Sequence, residues 1–217
     1  MANIKDFPRM VGETADDGRI QRAIEDAEWR GDRLLYFPRQ EQPYAVSERI
    51  LLPEHFIVRG DGAVIQQGTP NWPLFTNYWY PDYTRARPTD GIAIIGLHLK
   101  GTPPASCPRG TAFAGLIDFA LVSNLRIEDT EIEGEPLYGV SIRDVDGFAI
   151  KNCYIHDFVR AGIMAQAGPV KSGCFNGLIS GNRICHATMR DPNENTYGIA
   201  LGGDQGNRIK TNLARTP

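Results

Sequence analysis

Asp157 and His186 occupy equivalent places in a recurring pattern, each two residues beyond an isoleucine (Ile155 and Ile184). If those segments stack as neighbouring strands, the two side chains lie on adjacent strands about 5 Å apart at the backbone. An aspartate beside a histidine can orient the ring and favour its protonated form, which suits general acid–base catalysis. Arg160 follows on the same corner, and Arg143 falls on an outward position of an earlier strand, where Val140 and Ile142 point inward and Ser141 and Arg143 outward. Either guanidinium could neutralise a carboxylate or take part in proton abstraction. The same residue types also satisfy backbone groups at turns, so a purely structural corner is the competing reading.

Binding groups are suggested by a second concentration of side chains. Asn71–Tyr83 carries Trp72, Phe75, Tyr78, Trp79, Tyr80 and Tyr83, far above the 9% aromatic average of the chain. Exposed aromatic rings stack on the apolar faces of pyranose rings or make subunit contacts; the alternative is a loop that packs its own small core. Trp72, Tyr78, Trp79 and Tyr80 are the candidate substrate contacts here, joined by outward-facing Gln166 and by Arg190 within ATMRDPNENT. Asp144 and Asp146 in RDVDG are spaced for calcium, for a general acid or for a solvated turn. Glu128, Asp129, Glu131 and Glu133 alternate with apolar residues and read as the wet face of a strand pair.

The elements that must position these groups are short and repeated. Thr14–Arg30 is an amphipathic helix with Ile20, Ala23, Ile24 and Ala27 on one face, an aspartate (Asp16 or Asp17) at its start and Gly31 at its end. β-like runs follow at 34–37, 44–47 and 56–65. From residue 91 a unit of two apolar residues five apart recurs as Ile94/Leu99, Ile127/Ile132, Ile150/Ile155 and Ile179/Ile184, with a weaker copy from Ile209. Its turn position holds Gly96, Asp129, Asn152, Gly181 and Thr211, types suited to a left-handed bend. A second unit is a glycine leading alternating apolar residues, at Gly115, Gly139, Gly162 and Gly198, spaced 24, 23 and 36 residues apart. A period near 23 with three strands and no helix predicts an all-β parallel β-helix, a solenoid whose open end is capped by the N-terminal amphipathic helix. The whole chain, 1–217, reads as one domain: cap and first coil over 1–67, an aromatic-rich inserted loop over 68–90 and successive coils over 91–212. It stops in mid-coil, as a truncated fragment would.

Composition narrows the partners. The net charge of −3 argues against a nucleic-acid partner held by phosphate contacts, and no run approaches the length and apolarity of a membrane span. Eighteen of the 23 basic residues are arginine, whose fork suits carboxylates. Cys107, Cys153, Cys174 and Cys185 lack metal spacing and read as free core or turn thiols.

NIKDFPRMVGETADDGRIQRAIEDA, then LLYFP, then VRGDGAVI, resembles the N-terminal signature of the pectate-lyase-like right-handed β-helix superfamily. The resemblance implies a carbohydrate-active protein, a polysaccharide lyase or glycoside hydrolase working in a groove beside the coils on an acidic or complex polysaccharide. The alternative within the same superfamily is a non-catalytic sugar-binding or structural β-helix of a phage tailspike or surface adhesin, with a homotrimer as its oligomer. Either implies an extracellular or virion-associated place, although this chain has no signal peptide; no cofactor is implied, except Ca2+ for a lyase. LYGVSIRDVDGFAIKNCYIHDF resembles a coil of mannuronan C5-epimerases, but Ser141-Ile142-Arg143-Asp144 replaces their aspartate-proline-histidine-glutamate, and Gln166 stands where a second aspartate belongs. The epimerase active site therefore does not carry over.

Overall fold

A computed structural model describes residues 1–70, 72–78, 88–103, 115–134, 136–168, 173–188, 196–202, 208–210 and 212–215. The helix spans Asp17–Arg30 and buries Ile20, Ala23, Ile24 and Ala27, the four residues its periodicity selects. Gly31 ends it in the left-handed conformation, its amide donating to the Ala27 and Glu28 carbonyls. Asp16 is at the N-cap but does not cap, because its carboxylate is used elsewhere. It accepts from Arg9 Nε and Nη2 at 2.8 Å each and from the Ala45 amide at 2.6 Å, buckling the helix to the first coil.

The remaining described chain winds through three stacked faces. The first is a six-stranded parallel sheet: Ile50–Leu52, Phe75–Asn77, Gly115–Ala120, Tyr138–Arg143, Ala161–Gln166 and Tyr197–Leu201. The other two faces are joined into a fourteen-stranded sheet, because Ile57–Gln67 and Ala93–Lys100 turn the corner between them without a break. The second face includes Val122–Glu128, Asp146–Lys151, Phe175–Ser180 and Arg208–Lys210; the third includes Glu131–Glu133, Tyr154–Phe158, Arg183–Ala187 and Leu213–Arg215. Pairing is parallel: Ile94, Ile127, Ile150 and Ile179 form one inward row, with Ile209 paired in register beside Ile179, and Leu99, Ile132, Ile155 and Ile184 form another. One hydrophobic core runs from the helix to Ile184.

The corner between second and third faces is left-handed, as the turn residues require: φ is 69° at Gly96, 51° at Asp129, 54° at Asn152 and 69° at Gly181; Thr211 lies outside the described residues. The leading glycines answer a different demand. A Cβ on Gly139 would lie 2.7 Å from both the Gly162 carbonyl oxygen and Ile155 Cγ2, so only hydrogen fits where the coil turns into the first face.

The segment 68–90 is not simply an inserted loop. Phe75–Asn77 is a strand of the first face, paired with Ile50–Leu52 and with Phe75 opposite Ile117. Aromatic content misleads there, because Phe75 is spent on the core. Cys153, Cys174 and Cys185 are free and buried, and Cys107 lies outside the described residues. Burial pushes the Cys153 thiol up to about 12 and Cys174 to about 11. No helix among the described residues is long and apolar enough to cross a membrane.

Candidate functional site

On the third face, side chains flanking the inward row Leu99, Ile132, Ile155 point outward and stack coil on coil. His98 and Lys100 pair in register with Glu131 and Glu133, and Glu131 with Tyr154. Alternation would then send only every second residue outward, but the left-handed φ of 52° at Asp157 and 54° at His186 interrupts it. Ile155 and Phe158 are both in the core, so two consecutive residues between them, His156 and Asp157, share the outer side. Cys185 and His186 repeat this on the next coil, in register through His156 opposite Cys185 and Phe158 opposite Ala187. Asp157 and His186 are therefore stacked neighbours, as the repeat predicts.

The row is continuous through contacts. His98 Nε2 is 2.9 Å from Glu133 Oε1, and Lys100 Nζ is 2.9 Å from the same oxygen. Burial raises the Glu133 carboxyl, but hydrogen bonds from Lys100 and His98 outweigh it and hold the group below its ordinary value. His156 Nε2 is 3.2 Å from Glu131 Oε1, and its Nδ1 is 2.6 Å from Asp157 Oδ2. The His156 ring stacks on Tyr154 with centroids 4.2 Å apart, which fixes its plane. His156 is 7% exposed, whereas Asp157 is half-buried and His186 exposed. Of the four histidines in the chain, three stand on this one flank. Asp157 and His186 are thus the solvent-facing members of the row, with His156 held behind them.

Sequence reasoning missed His98, His156, Glu131 and Glu133 as site residues, treating the last two as a wet strand face. The signal was present in the repeat: His98 and Glu131 precede the inward residue, and Lys100, Glu133 and His156 follow it.

Other candidates have different roles. Arg143 does face outward, but it is 7% exposed and its Nη2 is 2.9 Å from Asp118 Oδ1, itself 0% exposed. It is a buried ion-pair member and not a cation presented to solvent. Ser141 beside it is also buried. Gln166 sits next to Arg143 in register, half-buried, its carbonyl accepting from the Asp144 amide at 3.4 Å. Arg160 lies at the corner entering the first face, its amide donating to Leu137 O and its carbonyl accepting from Tyr197 N. Asp144 is no solvated turn residue: it is fully buried and accepts from the Gly168 amide at 2.7 Å, while Asp146 accepts from Asn176 Nδ2 at 2.8 Å.

Tyr78 turns inward to the helix. Its hydroxyl donates to Glu28 Oε2 at 3.1 Å and accepts from Gln21 Nε2 at 3.5 Å, and burial together with Glu28 pushes its pKa to about 12. It fastens the cap to the coil and is not a ligand contact. Trp72 is 50% exposed, with the Arg49 guanidinium 5.5 Å from its ring centre. The two line a cleft of about 380 Å³ with Ser47, Glu48 and Thr69. Trp79, Tyr80 and Arg190 lie outside the described residues.

No family model and no curated protein matches this chain. Solved structures do. The A-module of mannuronan C-5 epimerase AlgE6 from Azotobacter vinelandii superposes with a TM-score of 0.74 at 17% identity, covering 100% of this chain and 56% of that one. A right-handed parallel β-helix is the fold of this chain. PfbA, a surface adhesin of Streptococcus pneumoniae, matches this β-helix with a TM-score of 0.65 at 16% identity over 98% of the chain and 62% of the adhesin. The N-terminal fragment of bacteriophage phi29 gene product 12 matches it with a TM-score of 0.57 at 16% identity, over 99% and 43%. The β-helix therefore spans 56%, 62% and 43% of those chains, and the likeness is one of fold.

Proposed function

We propose that this β-helix is a carbohydrate-active protein, a polysaccharide lyase or glycoside hydrolase acting on an acidic or complex polysaccharide alongside the coils. The observation that carries the reading is the contact row His98–Glu133 and Glu131–His156–Asp157 with His186 stacked beside it. Proton donors and acceptors follow one another along the solenoid axis, the direction in which an extended glycan can lie against many coils. In an elimination, one group of the exposed Asp157/His186 pair takes the proton α to a uronate carboxylate and the other protonates the leaving oxygen. Hydrolysis would instead use Asp157 with a second carboxylate. The epimerase among the fold neighbours supports an acidic glycan as substrate.

A second reading is a non-catalytic sugar-binding or structural β-helix, extracellular or on a virion. It is favoured by the Trp72–Arg49 cleft, where an exposed indole can stack on a sugar. The adhesin and the phage protein among the fold neighbours support it, and a homotrimer belongs with it.

The test is incubation with a panel of uronate and neutral polysaccharides, following absorbance at 235 nm for unsaturated products and reducing ends for hydrolysis. Product formation that is lost in His186→Ala and Asp157→Asn supports the enzyme reading. No product across the panel, or product formation unchanged in both variants, refutes it at these residues. Glycan binding without product, abolished in Trp72→Ala, together with a trimer in size-exclusion with light scattering, favours the second reading.

A further inference from the structure

Three donor atoms of the row converge. One ligand atom each from His156, Asp157 and His186 lies within 4.8 Å of the others. Both nitrogens of the His156 ring face carboxylates. Nε2 faces Glu131 Oε1 at 3.2 Å, and in the tautomer protonated at this nitrogen it donates to that carboxylate. Nδ1 then presents a lone pair toward Asp157 Oδ2, 2.6 Å away and also an acceptor when ionised. Two lone-pair atoms at that distance need something positive between them, a proton or a metal ion. A histidine that donates its far nitrogen to a carboxylate while offering the near one to a cluster has the arrangement of metal-binding imidazoles with a carboxylate behind them.

We propose that His156 Nδ1, Asp157 and His186 bind one divalent transition-metal ion, with Glu131 orienting His156. Two imidazoles and one carboxylate are a borderline donor set. They favour Zn2+, Co2+ or Ni2+ over Ca2+ and Mg2+, which prefer all-oxygen shells. Ligation at about 2.0–2.1 Å in a tetrahedron separates donor atoms by roughly 3.3 Å. The His156–Asp157 separation opens by less than 1 Å to meet this, and all three donor atoms already lie within 4.8 Å of one another. His156 itself need not move, being held by Glu131 and by the Tyr154 ring. His186 lies on the solvent side, so the fourth position faces outward and is open to water or to an oxygen of a bound ligand. The backbone prepares the site: left-handed residues at 157 and 186 put consecutive side chains on one side of their strands.

This inference uses the flank on which the enzyme reading also rests but makes Asp157 and His186 ligands, a role that replaces their acid–base role whenever the ion is bound, and its test reads metal directly. The full chain, without a histidine tag and stripped with EDTA, is titrated with ZnCl2 in a calorimeter, and with CoCl2 while the visible spectrum is recorded. One equivalent of Zn2+ is expected, together with the d–d bands of four- or five-coordinate Co2+ and a raised melting temperature. His186→Ala and Asp157→Asn, both at open positions, should weaken Zn2+ at least 100-fold while keeping the far-UV spectrum and the melting temperature measured in EDTA. Glu131→Gln should weaken it about 10–100-fold. Binding should fall as pH drops and protons occupy the imidazoles.

The proposal is overturned if no heat is seen at 0.1 mM metal, or if stoichiometric binding survives in both His186→Ala and Asp157→Asn. It is equally overturned if binding is lost in His98→Ala but not in His186→Ala, which would move the ion to the neighbouring His98, Glu131 and Glu133 group. Sugar release without metal binding removes this inference and leaves the enzyme reading; metal binding without sugar release does the reverse.

Discussion

Asn182→Leu should destabilise this β-helix by about 2–4 kcal/mol, although it replaces a buried polar side chain by an apolar one of similar size. Asn182 is 1% exposed. Its Oδ1 accepts from the Cys153 amide at 2.9 Å, and its Nδ2 donates to the Ile150 carbonyl at 2.9 Å and to Asn212 Oδ1 at 3.0 Å. Leucine leaves the Cys153 amide buried without its acceptor and deprives the Ile150 carbonyl of one donor. Each orphaned buried group costs about 1–3 kcal/mol. The carbonyl keeps a second lone pair for other donors, which places the sum in the lower part of the range. Against a total of about 5–15 kcal/mol for a folded domain, the loss is large. In urea it should lower the midpoint by about 1 M at an unchanged slope, and it should lower the melting temperature by about 5–15 °C. The control is Asn152→Gly at the exposed, left-handed corner one coil earlier, where φ is 54° and glycine is at least as comfortable; it should stay within about 0.5 kcal/mol of wild type. If Asn182→Leu unfolds at the wild-type midpoint, or Asn152→Gly loses as much, then these corners are held by chain conformation and not by hydrogen bonds between coils.

Three further outcomes follow from the packing. Gly139→Ala must displace the Gly162 carbonyl and the Ile155 side chain, and should cost about 1–3 kcal/mol in urea unfolding, whereas a compatible Gly→Ala exchange would stabilise. Tyr78→Phe removes the hydroxyl bridge to Glu28 and Gln21 and should cost about 0.5–1.5 kcal/mol. Because the folded Tyr78 pKa is raised, to about 12, its neutral form is stabilised by folding. Its contribution is complete below about pH 10 and is lost as pH rises toward 12, so wild type should lose more stability than Tyr78→Phe between those values. Cys153 and Cys174, buried with raised thiol pKa values, should resist alkylation at pH 8 in the native protein and react once it is unfolded, read by peptide mass mapping; rapid native labelling of both would contradict their burial.

The architecture was legible in the chain because a solenoid writes its period into the sequence. Each coil must send the same positions inward, so the isoleucine rows repeat, and each corner must bend left-handed, so Gly96, Asp129, Asn152 and Gly181 align. The adjacency of Asp157 and His186 could be read from the same count. The sequence by itself could not say what those positions cost or touch. Arg143 has the alternation of an exposed residue, yet a buried Asp118 on the next strand takes it into an ion pair. Tyr78 looks like a ligand contact, yet the helix 50 residues earlier claims its hydroxyl. His156 and Glu131 join Asp157 and His98 in one row because strands distant in sequence stack within hydrogen-bond reach, and left-handed residues turn two consecutive side chains to one side. Period is a one-dimensional property and survives in sequence; burial and partnership depend on which coils lie against each other, and only the tertiary structure decides them.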